Sequence, residues 1–194
     1  MKGIPGATLT TDNDTIYMGA NNRGWILDGQ YDNEAYWAHW ETYLGGTLSF
    51  DVNVDECDCN RAAGVFLVQL DDGDCSWDPK PSDMVPQCAA IDIMEANKYG
   101  LNVASHPCAS GQCDIESLCK VRVNDADYWN YGYGDEFTIN TENDFSVQTK
   151  FYADRSLTGL GDIHYIETTL SQDGRTVVLV QDCKDYLAPF SDLL

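Results

Sequence analysis

At 194 residues and 43% hydrophobic content, the chain has room for a single domain with a real core. Thirty-two acidic residues against 11 basic ones give a net charge of −21, and the acids are scattered along the whole length. Such a surface repels nucleic acid phosphates and anionic lipid, so neither is an expected partner, and it suits a solvated extracellular monomer with a neutral ligand.

Eight cysteines, at 57, 59, 75, 88, 108, 113, 119 and 183, sit largely in Gly-, Asp- and Asn-rich connections. Their even number predicts a disulfide framework and hence secretion into an oxidising compartment. Cys57-Asp58-Cys59 has the wrong spacing for a zinc knuckle and the chain has no C-x-x-C pair, so neither a metal nor a cofactor is expected. Met1 to Gly6 lacks the apolar run of a signal peptide, and no stretch approaches the length of a membrane span. Asn13-Asp14-Thr15 is a glycosylation sequon.

In chain order, Thr8 to Met18 is polar and short-patterned and reads as an edge strand and turn. Residues 33 to 44 place Tyr36, Trp40, Tyr43 and Leu44 at helical spacing with Asn33 as a possible cap, and an aromatic-rich strand is the other reading. Trp37 and Trp40 are candidates for stacking on sugar rings, against core packing as the commoner use of such residues. After Gly45-Gly46, Thr47 to Val54 alternates polar and apolar without a fault and predicts a strand. Gly64 to Leu70 is a continuous apolar run, as for a strand buried on both sides. Asp71, Asp72 and Asp74 around Gly73 lack the spacing of a helix-flanked calcium loop and read as a solvated turn, and Pro79, Pro81 and Pro86 mark a loop.

Cys88-Ala89-Ala90-Ile91-Asp92-Ile93-Met94-Glu95-Ala96-Asn97 follows. Strict alternation puts Ile91 and Ile93 on a core face, with Ala90, Asp92 and Met94 on the other, and leaves Glu95 on the wrong side. A one-residue β-bulge after Asp92 would turn Glu95 back beside Asp92, so that two carboxylates line one cleft. As a bare D-x-x-E the run would more often be a half-buried strand with two solvated acids. Gly100 to Lys120 reads as a cysteine-stapled loop, and strands resume at Phe137 to Ile139 and Phe145 to Phe151. Ile163 to Leu170 and Arg175 to Val180 form a hairpin around Asp173-Gly174, which supplies the positive φ angles of a tight turn. Many short strands, with at most one helix, predict an all-β sandwich or jelly roll.

The 88–97 run resembles the signature C-x-E-x-D-x-x-E-A-N of glycoside hydrolase family 7, the retaining cellobiohydrolases and endoglucanases. The likeness continues in register. Leu48 to Val54, Cys59 and Gly64 to Leu70 are similar to the block before the signature, Ser105-His106-Pro107-Cys108 to its T-P-H-P-C segment, and Tyr131 to Ile139 to its Y-G-P-G-x-x-F-T-L segment. Family 16 of the same clan, with its E-I-D-I-M-E strand, accounts for the central strand but not for the other segments. The resemblance implies a concanavalin-like jelly roll of two curved antiparallel sheets with a β-glucan cleft on the concave face. It also shows a chain much shorter than the family's usual catalytic domain, either a trimmed member or a fragment. By position, Cys88 would bridge to Cys75, and Cys183 to Cys57 or Cys59.

Retaining glycosidases use two carboxyl groups about 5 to 5.5 Å apart, one as nucleophile and one as acid/base. The family mapping makes Glu95 the acid/base, Asp92 the residue that orients the nucleophile, and His106 a partner of Asp92 or of the sugar. Met94, Trp129 and Tyr131, with Trp37 and Trp40, are the implied substrate contacts. The nucleophile position is Ala90, which has no carboxylate, so a covalent glycosyl intermediate cannot form by that route. The expectation is an endo-acting β-1,4-glucan hydrolase that binds its glucan but hardly cleaves it. A carbohydrate-binding pseudoenzyme, a family 16-like β-1,3(4)-glucanase and a disulfide-stapled structural protein are the alternatives.

Overall fold

The computed structural model describes residues 45–68, 88–108, 117–153 and 162–190 in full, together with the backbone of short strands before residue 40 and around residues 109, 112–113, 154–156 and 159–161. Two compact units are present, residues 1–40 and residues 41–194. In the first unit, Leu9–Asp12 pairs with Thr15–Met18 and Leu27–Tyr31 with Glu34–Trp37, both antiparallel. The 33–44 segment therefore starts as a strand rather than a helix, and Trp40 lies outside the described residues. The turn and proline loop expected over 71–87 also lie outside them.

Eight strands form the two larger sheets of the second unit: β1 (Thr47–Val52), β2 (Ala63–Val68), β3 (Ala90–Asn97), β4 (Gly100–His106), β5 (Cys119–Arg122), β6 (Phe145–Ser156), β7 (Gly159–Gln172) and β8 (Arg175–Gln181). One antiparallel sheet runs β5-β4-β3-β2 and the other β8-β7-β6-β1. A four-residue α-helix, α1 (Lys184–Leu187), follows β8. The inner faces meet in one apolar core, with Met94, Leu101 and Val103 from the first sheet against Val147, Leu170 and Leu179 from the second. The fold is therefore the expected antiparallel β-sandwich, with the side chains of each strand alternating between core and outer face.

The β7–β8 hairpin turns at Asp173 and Gly174, with φ angles of 50° and 77°, the left-handed conformation that the Asp-Gly pair predicts. Gln172 holds this end of the sandwich: its Oε1 accepts the Asn140 N–H at 2.8 Å, and its Nε2 donates to the carbonyls of Asn140 at 2.9 Å and Asp144 at 3.0 Å. A side chain 7% exposed thus satisfies backbone groups that the sheets leave unpaired.

Three expectations change. Gly100 to His106, read as a loop, is a seven-residue strand, because Leu101 and Val103 point into the core while Gly100, Asn102 and Ala104 share the other face. β2, read as buried on both sides, is largely half-buried because no further described strand pairs beyond it. Cys183 pairs with Cys119 and not with Cys57 or Cys59, which are free. The reason lies in the topology: β5 and β8 are at the same side of the sandwich, where Gln181 Nε2 donates to the Cys119 carbonyl at 2.8 Å and to Ser105 Oγ at 3.0 Å. The disulfide closes that side covalently across 64 residues of chain. Cys88 and Cys108 are disulfide-bonded as well.

A disulfide spanning such a loop constrains the unfolded chain, so the Cys119→Ala/Cys183→Ala variant should lose about 2–4 kcal/mol of stability. Denaturant unfolding of the two oxidised proteins checks this, and an unfolding free-energy difference under a tenth of that size would contradict it.

Candidate active site

β3 lies between β2 and β4, and its register with both contains one extra residue. Against β2, Val65 faces Met94 and the next residue, Phe66, faces Asp92. Against β4, Asn102 faces Glu95 and Ala104 faces Asp92, so three steps along β3 match two along β4. This is a β-bulge at Ile93–Met94, where the sequence reading required one. β4 itself runs unbroken here, so Asn102, Ala104 and His106 share one face. Their partners Glu95, Asp92 and Ala90 must share it too. The bulge puts the two carboxylates and Ala90 in one line.

Asp92 is 5% exposed, and its Oδ2 lies 3.0 Å from His106 Nε2. The ring N–H donates in the tautomer that protonates Nε2, which fixes both side chains and satisfies a buried carboxylate. Glu95 is half-buried, and its Oε2 accepts the Asn102 Nδ2–H at 2.9 Å. Asn102 in turn faces Arg122 on β5, giving a polar row of acid, amide and guanidinium across three strands. A shallow depression of about 350 Å³ is lined by Ala62, Glu95, Asn97, Asn102, Arg122 and Asn124, among others. A second depression, of about 400 Å³, lies beside Asp51, Asp144 and Gly174 on the other sheet, away from these carboxylates.

Ala90 is 2% exposed and sits between Val68 on β2 and His106 on β4. Two expected substrate contacts are corrected. Met94 is 1% exposed and packs in the core, because the bulge that turns Glu95 outward turns Met94 inward. Tyr131 is fully buried in the same core, its ring edge-on to Phe145 and its hydroxyl donating to the Asn97 carbonyl at 2.8 Å. Burial pushes that phenol well above its ordinary range, so it stays a neutral donor. Trp129 is exposed and clusters with Tyr128 and Phe137 at ring separations of 5.0 and 5.4 Å. The backbone of Trp37 lies in Glu34–Trp37, with its side chain outside the described residues. Asn102 and Arg122 were missed, and the signal was the alternation of Asn102, Ala104 and His106 along what is now β4. Among the described residues no cluster of three or more His, Cys, Asp or Glu side chains could hold a metal ion.

Together these features define an antiparallel β-sandwich with a buried and a half-buried carboxylate on one face of a central bulged strand. No protein-family model matches the chain. Over 106 residues it is 34% identical to Endoglucanase 1 of Humicola insolens, a match covering 46% of this chain and 25% of the relative. It is 24% identical over 106 residues to Endoglucanase type C of Fusarium oxysporum, covering 46% and 23%. The chain thus spans about a quarter of the length of these curated relatives. Among solved structures, an endoglucanase I complexed with cellobiose superposes with a TM-score of 0.58 at 18% identity, over 75% of this chain and 48% of that one. A double mutant of the Humicola insolens endocellulase EGI gives 0.54 at 26% identity, over 70% and 43%. A family 7 cellobiohydrolase from Daphnia pulex gives 0.52 at 20% identity, over 69% and 44%. What the chain shares with these solved structures is the antiparallel β-sandwich, matched over about half of their length.

The free thiols separate by environment. Cys59 is exposed, whereas Cys57 is half-buried with its thiol 3.8 Å from the Ala96 carbonyl, and desolvation pushes its pKa up. Among these two, a thiol reagent at neutral pH should modify Cys59 first and Cys57 in a slower phase that speeds up as pH rises. Peptide mapping of a labelling time course would contradict this if Cys57 reacted first.

Proposed function

We propose that the chain carries the acid/base half of a retaining β-1,4-glucan hydrolase and binds cellulose-type oligosaccharides with little turnover. The observation that carries this reading is the bulge in β3, which sets Asp92 and Glu95 on one face with His106 bonded to Asp92. In the reaction, Glu95 gives a proton to the glycosidic oxygen as its bond to the anomeric carbon breaks. A carboxylate at position 90 would attack that carbon from the other side, and Ala90 supplies only a methyl group. Asp92 is a poor substitute, because its Oδ2 is engaged by His106 and its position is displaced along the strand. Extracellular localisation fits the bonded cysteines and the acidic surface.

Ala90 also favours a second reading, in which the chain is a glucan-binding pseudoenzyme. The two separate on restoring the nucleophile. Ala90→Glu should raise hydrolysis of a soluble cello-oligosaccharide by several orders of magnitude over the unsubstituted chain. Because Ala90 is closely covered, azide offers a smaller probe: with an aryl β-cellobioside it should bond to the anomeric carbon, release the phenol and leave an α-cellobiosyl azide. Cello-oligosaccharide binding by calorimetry with neither activity would establish the pseudoenzyme instead. Rapid cellulose cleavage by the unsubstituted chain would overturn the mechanism.

A further inference from the structure

Glu95 has a partner that the reaction outlined above does not name. Asn102 lies directly opposite it in the β3–β4 ladder, and its Nδ2–H donates to Glu95 Oε2 at 2.9 Å. The position is fixed from both sides, since Asn102 also faces Arg122 on β5, and its chain neighbours Leu101 and Val103 are anchored in the core. We propose that Asn102 is the positioning residue of Glu95, holding Oε2 as the acceptor oxygen so that the transferable proton is carried on Oε1. This rests on the reading of Glu95 as acid/base.

The chemistry follows from donor and acceptor counts. An amide N–H needs a lone pair, so it selects the carboxyl form whose unprotonated oxygen is Oε2. As the Oε1 proton passes to the glycosidic oxygen, the C–O electron pair goes to the leaving group and Glu95 becomes a carboxylate. A hydrogen bond to a charged acceptor is about twice as strong as one between neutral groups, so the Asn102 bond strengthens as the proton leaves. It therefore stabilises the transition state more than the ground state, the condition for a gain in rate. The effect vanishes for a leaving group that departs without a proton.

That dependence provides the test, made in the Ala90→Glu protein or, with azide, in the unsubstituted chain. Asn102→Ala should lower kcat about tenfold on an aryl β-cellobioside with a weakly acidic phenol, the size of one hydrogen bond to a charged group, and change KM little. On the 2,4-dinitrophenyl glycoside, where protonation is not needed, the loss should be far smaller. Asn102→Leu keeps the volume and removes the donor without adding charge, so it carries the same test if Asn102→Ala fails to fold, with thermal melting as the check. Equal losses on both substrates, or none on either, would overturn the role of Asn102 alone. No turnover with restored nucleophile or azide would remove the acid/base reading of Glu95 and this inference together.

Discussion

The extra residue in β3 is the constraint on which the site depends. Ile91, Ile93, Met94 and Ala96 are all buried, and no strict two-residue alternation can bury both Ile93 and Met94 on one face. Without the bulge, Glu95 would point where Met94 and Ala96 now pack. An unpaired carboxylate there would cost several kcal/mol or be forced to stay protonated. The apolar pattern and the carboxylate thus demand the same irregularity. The bulge meets both needs, and the two acids converge as a consequence of packing.

A bulge in a central strand must be matched by neighbours that hold their own register. β4 does so because Leu101 and Val103 enter the core in regular alternation, which leaves Asn102 and His106 facing Glu95 and Ala90. The second sheet supplies the surface against which they pack. Gln181 and the Cys119–Cys183 bond tie the two sheets along one side, and Gln172 ties the loop around Asn140 to the end of β7. The buried Thr149–Thr168 hydroxyl contact at 2.9 Å adds a polar link between β6 and β7. Of these groups, Gln181 reaches β4 directly, through its bond to Ser105 Oγ.

The bulge, the β1 strand and the Asp173-Gly174 hairpin were legible in the sequence because each is written in a local pattern. The errors share a cause, since they depend on which strand is a neighbour. Met94 was placed on the cleft face although the same bulge that moves Glu95 must also move it. Tyr131 looked like a sugar contact because an amphipathic ring can serve either end, and only the Asn97 carbonyl shows that its hydroxyl is used inside. Gly100 to His106 was read into a cysteine-stapled loop running to Lys120, although Leu101 and Val103 alternate as in a strand. The Cys119–Cys183 pair depends on β5 and β8 lying at one side, which no spacing along the chain reveals.

On the proposed reading, a carboxylate missing at Ala90 is not one that the neighbouring acid can replace. Asp92 is two residues further on, about 7 Å along a strand, whereas the nucleophile and acid/base of a retaining enzyme are separated by only about 5 Å. The Asp92 carboxylate is also held by His106, so reaching toward the anomeric carbon would break that bond to a buried carboxylate oxygen. Glu95, in contrast, is half-buried and bonded through one oxygen to a neutral amide. On the proposed reading the face is divided: the proton-transferring carboxyl is braced by a hydrogen bond across the sheet, and the place of a nucleophile is taken by a methyl group packed between Val68 and His106. Proton transfer would draw on the first half, and a covalent intermediate would need the second.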